Sequence, residues 1–177
     1  MRADPRELTV SRNAVTRRLA LGGLVGPIGF VLTFTVAGLL RPGYSPIHQT
    51  ISDLGVGANG WLVDAALVLN GLLMFALVIA VFRSTRTVLS PRSRWLASAL
   101  LTLSPLGFAV AGIFTEAPST LAVHWLIGAD LGLAGPVVAF LVTGVLLRRD
   151  SRWRAMGTYS LVDLVTVPPA REHTMDV

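Results

Sequence analysis

Four apolar stretches, residues 19–40, 61–82, 95–115 and 121–147, dominate this chain and leave little room for anything else. A bilayer core roughly 30 Å thick needs ~20 apolar residues in a helix, and each stretch meets that length. The chain carries fifteen Arg and no Lys, and their placement sets an orientation. With the N-terminus inside, Arg2, Arg6, Arg12, Arg17 and Arg18 precede the first span. Arg83, Arg86, Arg92 and Arg94 then fall in the middle inner loop, and Arg148, Arg149, Arg152, Arg154 and Arg171 follow the fourth span. Only Arg41 lies outside, a 14-to-1 split that the positive-inside rule reads as both ends cytoplasmic. The expected fold is all-α: an integral membrane bundle of four transmembrane helices, residues 19–147. A cytoplasmic tail, 1–18, precedes it and a basic cytoplasmic tail, 148–177, follows.

Composition narrows the function classes. At 53% hydrophobic and 14% charged, the chain departs from soluble domains, where about a quarter of residues are charged. The net charge of +5 sits at helix ends, not in a stripe interleaved with aromatics, so no nucleic-acid partner is expected. The arginines set topology and meet anionic head groups. The absence of cysteine removes disulfides, thiolate zinc sites, iron–sulfur clusters and c-type haem, and no cofactor is expected. The first stretch has 22 residues, longer than the ~7–15 of a signal-peptide core, and reads as a retained span.

Within the spans, Gly22, Gly26 and Gly29 recur at i, i+4, i+7, as do Gly128, Gly132 and Gly135. Small-residue stripes let helix backbones approach where no hydrophobic force drives them together, so they are packing seams or faces for a homo- or hetero-oligomer. Pro27, Pro105 and Pro136 interrupt three spans and could free carbonyls toward a cavity. The segments around Gly26-Pro27 and Ser104-Pro105 echo each other, as parallel repeats would. Residues 153–167 begin like another membrane entry, then meet Asp163, Pro168 and Pro169; they read as an interfacial segment or the remnant of a helix.

Chemistry-bearing side chains gather on the outer face. Ser45 suits an N-cap, Pro46 a first helical position and Gly55 a stop, with Ile47, Ile51 and Leu54 on one stripe. The pattern predicts a short amphipathic helix over 46–54 in the first outer loop. His48, Ser52, Asp53, Asp64, Glu116 and His124 form the candidate outer-face polar cluster. Asn70 and Asp130 lie deeper, as the candidate intramembrane polar pair, because an ionisable group within a span needs a partner. His124 and His48 are expected to satisfy the shallower carboxylates. No two His share an i, i+4 pair and no HExxH spacing occurs, so no metal is assigned. Serine-nucleophile, Walker and dinucleotide motifs are absent.

The loop RPGYSP–TISDLG with GW following, between a helix carrying GP and one carrying NG, resembles the domain of unknown function 998 family, prokaryotic multi-pass membrane proteins. FTEAPS followed by His124 is similar to that family's acidic residue and histidine after its third helix. The resemblance covers about residues 20–160 and carries over Arg41, Pro42, Gly43, Tyr44, Ser52, Asp53, Gly60, Trp61, Glu116 and His124. It implies a compact helical bundle in a prokaryotic plasma membrane and assigns no activity. It also implies six helices, so that a final pair is expected to be missing, the protein either functioning alone or completing its bundle by association. The leading functional expectation is a non-enzymatic membrane role, binding a lipid or partner helix in an outer-leaflet polar pocket. The alternatives are an enzyme on a lipid-linked substrate, using Asp53, Glu116, His48 and His124 as acid–base groups, and a small transporter lined by Asp130 and Asn70.

Overall fold

The computed structural model describes residues 5–57, 59–149 and 151–166, and among them the protein is all helix and turn. Helix α1 runs Pro5–Leu40, α2 Trp61–Ser84 and α3 Pro91–Ile113. The fourth span, Leu121–Leu147, is one continuous rod in three parts: α4 (Leu121–Val123), a π turn (His124–Ala129) and α5 (Asp130–Leu147). A further helix, α6, covers Arg154–Thr166. Four of these segments are long and apolar enough to cross a bilayer, and this is a membrane protein.

Local chemistry explains the ends. Ser90 accepts a 3.2 Å hydrogen bond from Ser93 N, and Pro91 takes the first helical position, where its missing N–H costs nothing. Pro5 opens α1 in the same way, and no glycine interrupts the chain before Gly22. The helix therefore runs without a break through most of the stretch expected to be a polar tail. The first- and second-span arginines share one end of the molecule with Arg148 and Arg149; this is called the basic end below, and the opposite one the loop end. Trp95 and Trp61, both largely exposed, stand at the basic and loop ends respectively, where indoles suit a membrane interface.

The helices lie in an open serpentine row. Each packs on its neighbour in sequence, and α1 packs almost wholly on α2. Glycines make the seams. Gly22 and Gly26 face Leu73 and Asn70 of α2, Gly71 meets the carbonyl of Pro105, and Gly128 and Gly135 meet Ala111 and Leu103 of α3. Both stripes are thus spent within the chain, apart from Gly29, which has nothing near it. Pro105 is fully buried at the α2–α3 seam, so this proline serves packing there. Helix α6 returns along α5, with Gly157 and Gly144 backbone to backbone, so residues 154–166 form a packed helix. Pro168 and Pro169 lie outside the described residues.

The helix expected over 46–54 does not form. Residues 46–48 make an isolated turn, with His48 N and Gln49 N both donating to Ser45 O, and a separate 3-10 turn follows at Ser52–Gly55. The competing structure is a reciprocal cap. Asp53 N donates to Thr50 Oγ1 (3.3 Å), while the Asp53 carboxylate accepts from Thr50 N (2.7 Å) and Thr50 Oγ1 (3.0 Å). Such a box starts a new turn at Thr50 and breaks the older one. The apolar stripe dissolves with it: Leu54 is 4% exposed, Ile47 80%.

Candidate functional site

Two local turns build the loop end. Tyr44 N donates to Arg41 O across Pro42-Gly43, and Gly43 has φ +77°. Pro at the second position and a left-handed glycine at the third are what a type II turn requires. The turn folds Tyr44 back on Gly38, and its hydroxyl donates to Thr50 O at 3.3 Å. Arg41 then reaches across, one Nη1 N–H donating to Asp53 O. Arg41, Tyr44, Thr50 and Asp53 thereby fix the loop as one unit over the ends of α1 and α2.

Of the six residues expected to form a polar cluster, the structure pairs two, His124 and Glu116, with Asp64 within electrostatic reach. His124 is 3% exposed, in the π turn that opens the fourth span. Its Nδ1 lies 2.7 Å from Phe114 O and 3.1 Å from Ala111 O. Both partners are acceptors, carbonyls at the α3 terminus left over where the helix ends, so Nδ1 carries a proton. Nε2 stands 3.6 Å from Glu116 Oε1, an atom that is buried and has no hydrogen-bond partner. Asp64, in the first turn of α2, is within electrostatic reach of the same imidazole and lies directly beneath Gly55, where any Cβ would strike its carboxylate. The π turn, wider than an α turn, keeps His124 and Gly128 both on Ala111. Chemically this is a latch joining three elements: it satisfies the end of α3 and holds a carboxylate against an imidazole.

His48 is exposed and away from this latch, and Ser52 and Asp53 belong to the Thr50 turn. Among the described residues no three His, Asp or Glu side chains converge as a metal set. The intramembrane pair is a correction. Asn70 is 3% exposed but faces Gly26 of α1, and its Oδ1 has no hydrogen-bond partner. Asp130 lies on an exposed face of α5, its carboxylate making no hydrogen bond or ion pair to any described residue. The reason is the face it takes: α3 packs on the Gly128–Gly132–Gly135 side of the fourth span, a 27-residue rod of ~40 Å, and leaves Asp130 outside that seam. Asp130 stands ~13 Å along that span and faces outward, so it does not meet Asn70, and a transport path along Asn70 and Asp130 loses its basis.

What the sequence left unnamed is a groove at the loop end, of about 640 Å³, between the last two turns of α1 and the approach to α2. Leu32, Val36, Ala37, Leu40, Leu54 and Leu62 give it an apolar floor, and Arg41 and Asn59 stand on it as polar groups. The available signal was Arg41 itself, the one arginine apart from all others.

A comparison with family models matches residues 24–167 to a family described as "Protein of unknown function (DUF998)". The chain belongs to the DUF998 family. No curated protein and no solved structure matches it. The DUF998 match covers the first span from residue 24 onward, the other three spans and all of α6. Arg41, Gly43, Asp53, Glu116 and His124 therefore lie inside the DUF998 region, in the turn and latch just described.

Proposed function

We propose that this DUF998 protein has a non-enzymatic role in the membrane, holding an outer-leaflet lipid in the Arg41 groove. One observation carries the reading: an apolar trough of about 640 Å³ beside a guanidinium with a single hydrogen bond to the described residues. Ligand pockets are typically ~300–1,000 Å³, mostly apolar, with a few polar groups fixing orientation. An acyl chain suits the floor, and the remaining Arg41 N–H groups suit a headgroup oxygen. The enzyme alternative is less well supported. The Asp53 carboxylate is occupied by Thr50, and none of the main grooves is lined by His48, Glu116 or His124.

Ala37→Trp fills the trough without touching the latch. Native mass spectrometry of protein released from nanodiscs should show one bound lipid fewer for the variant than for the parent. Equal lipid retention would overturn the reading.

The reading also places the loop end outside, in the plasma membrane of a prokaryote, which the arginine split supports. Cysteines at Ser45 and Ser119 should then react with an impermeant maleimide in intact cells, and one at Ser93 only after permeabilisation. The reverse pattern would move the groove to the inner leaflet.

A further inference from the structure

We propose that the basic end holds a second site, for a phosphate-bearing anion, in the cleft where Arg83, Arg86 and Arg94 meet. The cleft measures about 640 Å³ and is lined also by Asn13, Thr16 and Phe82, so it joins α1, α2 and α3. No Asp or Glu side chain among the described residues lines it. The acids whose side chains are described, Asp53, Asp64, Glu116 and Asp130, all belong to the other half of the molecule.

Three guanidiniums in one recess repel one another and lose hydration, which is unfavourable unless something neutralises them. The protein offers only partial relief. Arg83 Nε donates to Thr16 Oγ1 at 3.2 Å, and Arg94 Cζ stands over the Phe82 ring, 4.3 Å from its centroid. A contact of that kind attracts the cation to the ring face without neutralising its charge. Yet Arg94 Nε is buried with no hydrogen-bond partner, and Arg86 makes no side-chain hydrogen bond to a described residue. Phosphate supplies what is missing, several acceptor oxygens and negative charge, in a shape that suits paired N–H donors. Basic recesses between membrane helices commonly take phospholipid head groups. A phospholipid and a free phosphate present the same chemistry, and the experiment separates them. This site lies at the opposite end from the Arg41 groove and does not depend on it.

The full chain is placed in nanodiscs of mixed phosphatidylglycerol and phosphatidylcholine, and the lipids it retains are weighed by native mass spectrometry. At about fivefold in affinity per arginine near a surface, R86Q should lower phosphatidylglycerol retention ~5-fold and R86Q/R94Q ~25-fold. The charge-matched control R18Q/R149Q, outside the cleft, should retain it as the parent does. In detergent, inorganic pyrophosphate is the soluble probe, read by its effect on melting temperature. Selective phosphatidylglycerol retention lost only in the cleft variants supports the site with a lipid occupant. Pyrophosphate stabilisation of the parent but not of R86Q/R94Q, without lipid preference, supports it with a soluble occupant. Neither response, or equal loss in R18Q/R149Q, overturns it. Far-UV circular dichroism confirms that each variant is folded, and R86Q alone carries the test if R94Q is not.

Discussion

Gly107→Val should prevent the third and fourth spans from assembling. A Cβ at Gly107 lands on the backbone of Gly132 and on Gly128 O, so no flexible side chain can move aside and a helix must. The shift would also break the 3.3 Å hydrogen bond from Ser104 Oγ to Gly132 O, which is buried. Helices in lipid gain no hydrophobic energy by associating, so loss of close packing is not offset. Ordinary overpacking costs ~1–3 kcal/mol, and a backbone collision of this kind should reach about 4 or more. Gly29→Val on the neighbouring stripe, where nothing lies within 4 Å, should stay within roughly 1 kcal/mol. Reversible unfolding of both variants in mixed micelles checks the contrast. Similar losses for the two would mean that the α3–fourth span crossing is not the seam described.

Removing the imidazole should be the next most damaging change. His124→Leu fits the volume but deprives Ala111 O and Phe114 O of a donor and leaves Glu116 buried beside an alkyl group. Each orphaned buried polar group costs ~1–3 kcal/mol, so a loss of about 3 kcal/mol is expected. Glu116→Gln keeps the shape and removes the charge, and should cost less than about 1.5 kcal/mol alone. Combined, the two losses should be less than additive, since the orphaned carboxylate is then gone. Strict additivity in that double-mutant cycle would show that His124 and Glu116 do not act as a pair.

These two sites differ in how far the sequence discloses them. Length and hydropathy settle the four spans, because a bilayer demands ~20 apolar residues and little else satisfies it. Gly128, Gly132 and Gly135 were legible as a stripe, but not which helix they serve; that depends on the α3 crossing at Gly107 and Ala111. The joining of Glu116 and His124 was legible from their closeness in sequence. Asp64 comes within reach of His124 because α2 packs on α3 at Gly112, a crossing that spacing in the sequence does not show. The loop misled for a definite reason. Ser45, Pro46 and the Ile47–Ile51–Leu54 stripe favour one helix, while Thr50 and Asp53 favour a fresh start, and the four-residue box prevails over a weak stripe. Asp130 misled because depth along a helix does not say which face a residue takes, and α3 packs on the Gly128–Gly132–Gly135 side, leaving Asp130 outward. The basic cleft was invisible for a similar reason: arginines spread from 83 to 94 read as topology signals until α2 and α3 bring them into one recess beside α1.

The lipid in the Arg41 groove is the claim on which the functional account stands, and photo-crosslinking in nanodiscs tests it most directly. A phospholipid carrying a photoreactive acyl chain would be activated, and the labelled peptides sequenced by mass spectrometry. The account predicts labels concentrated within residues 32–42 and 54–62, diminished by Ala37→Trp. Labels spread evenly over other exposed apolar positions, such as Leu24, Leu126 and Leu133, would contradict it.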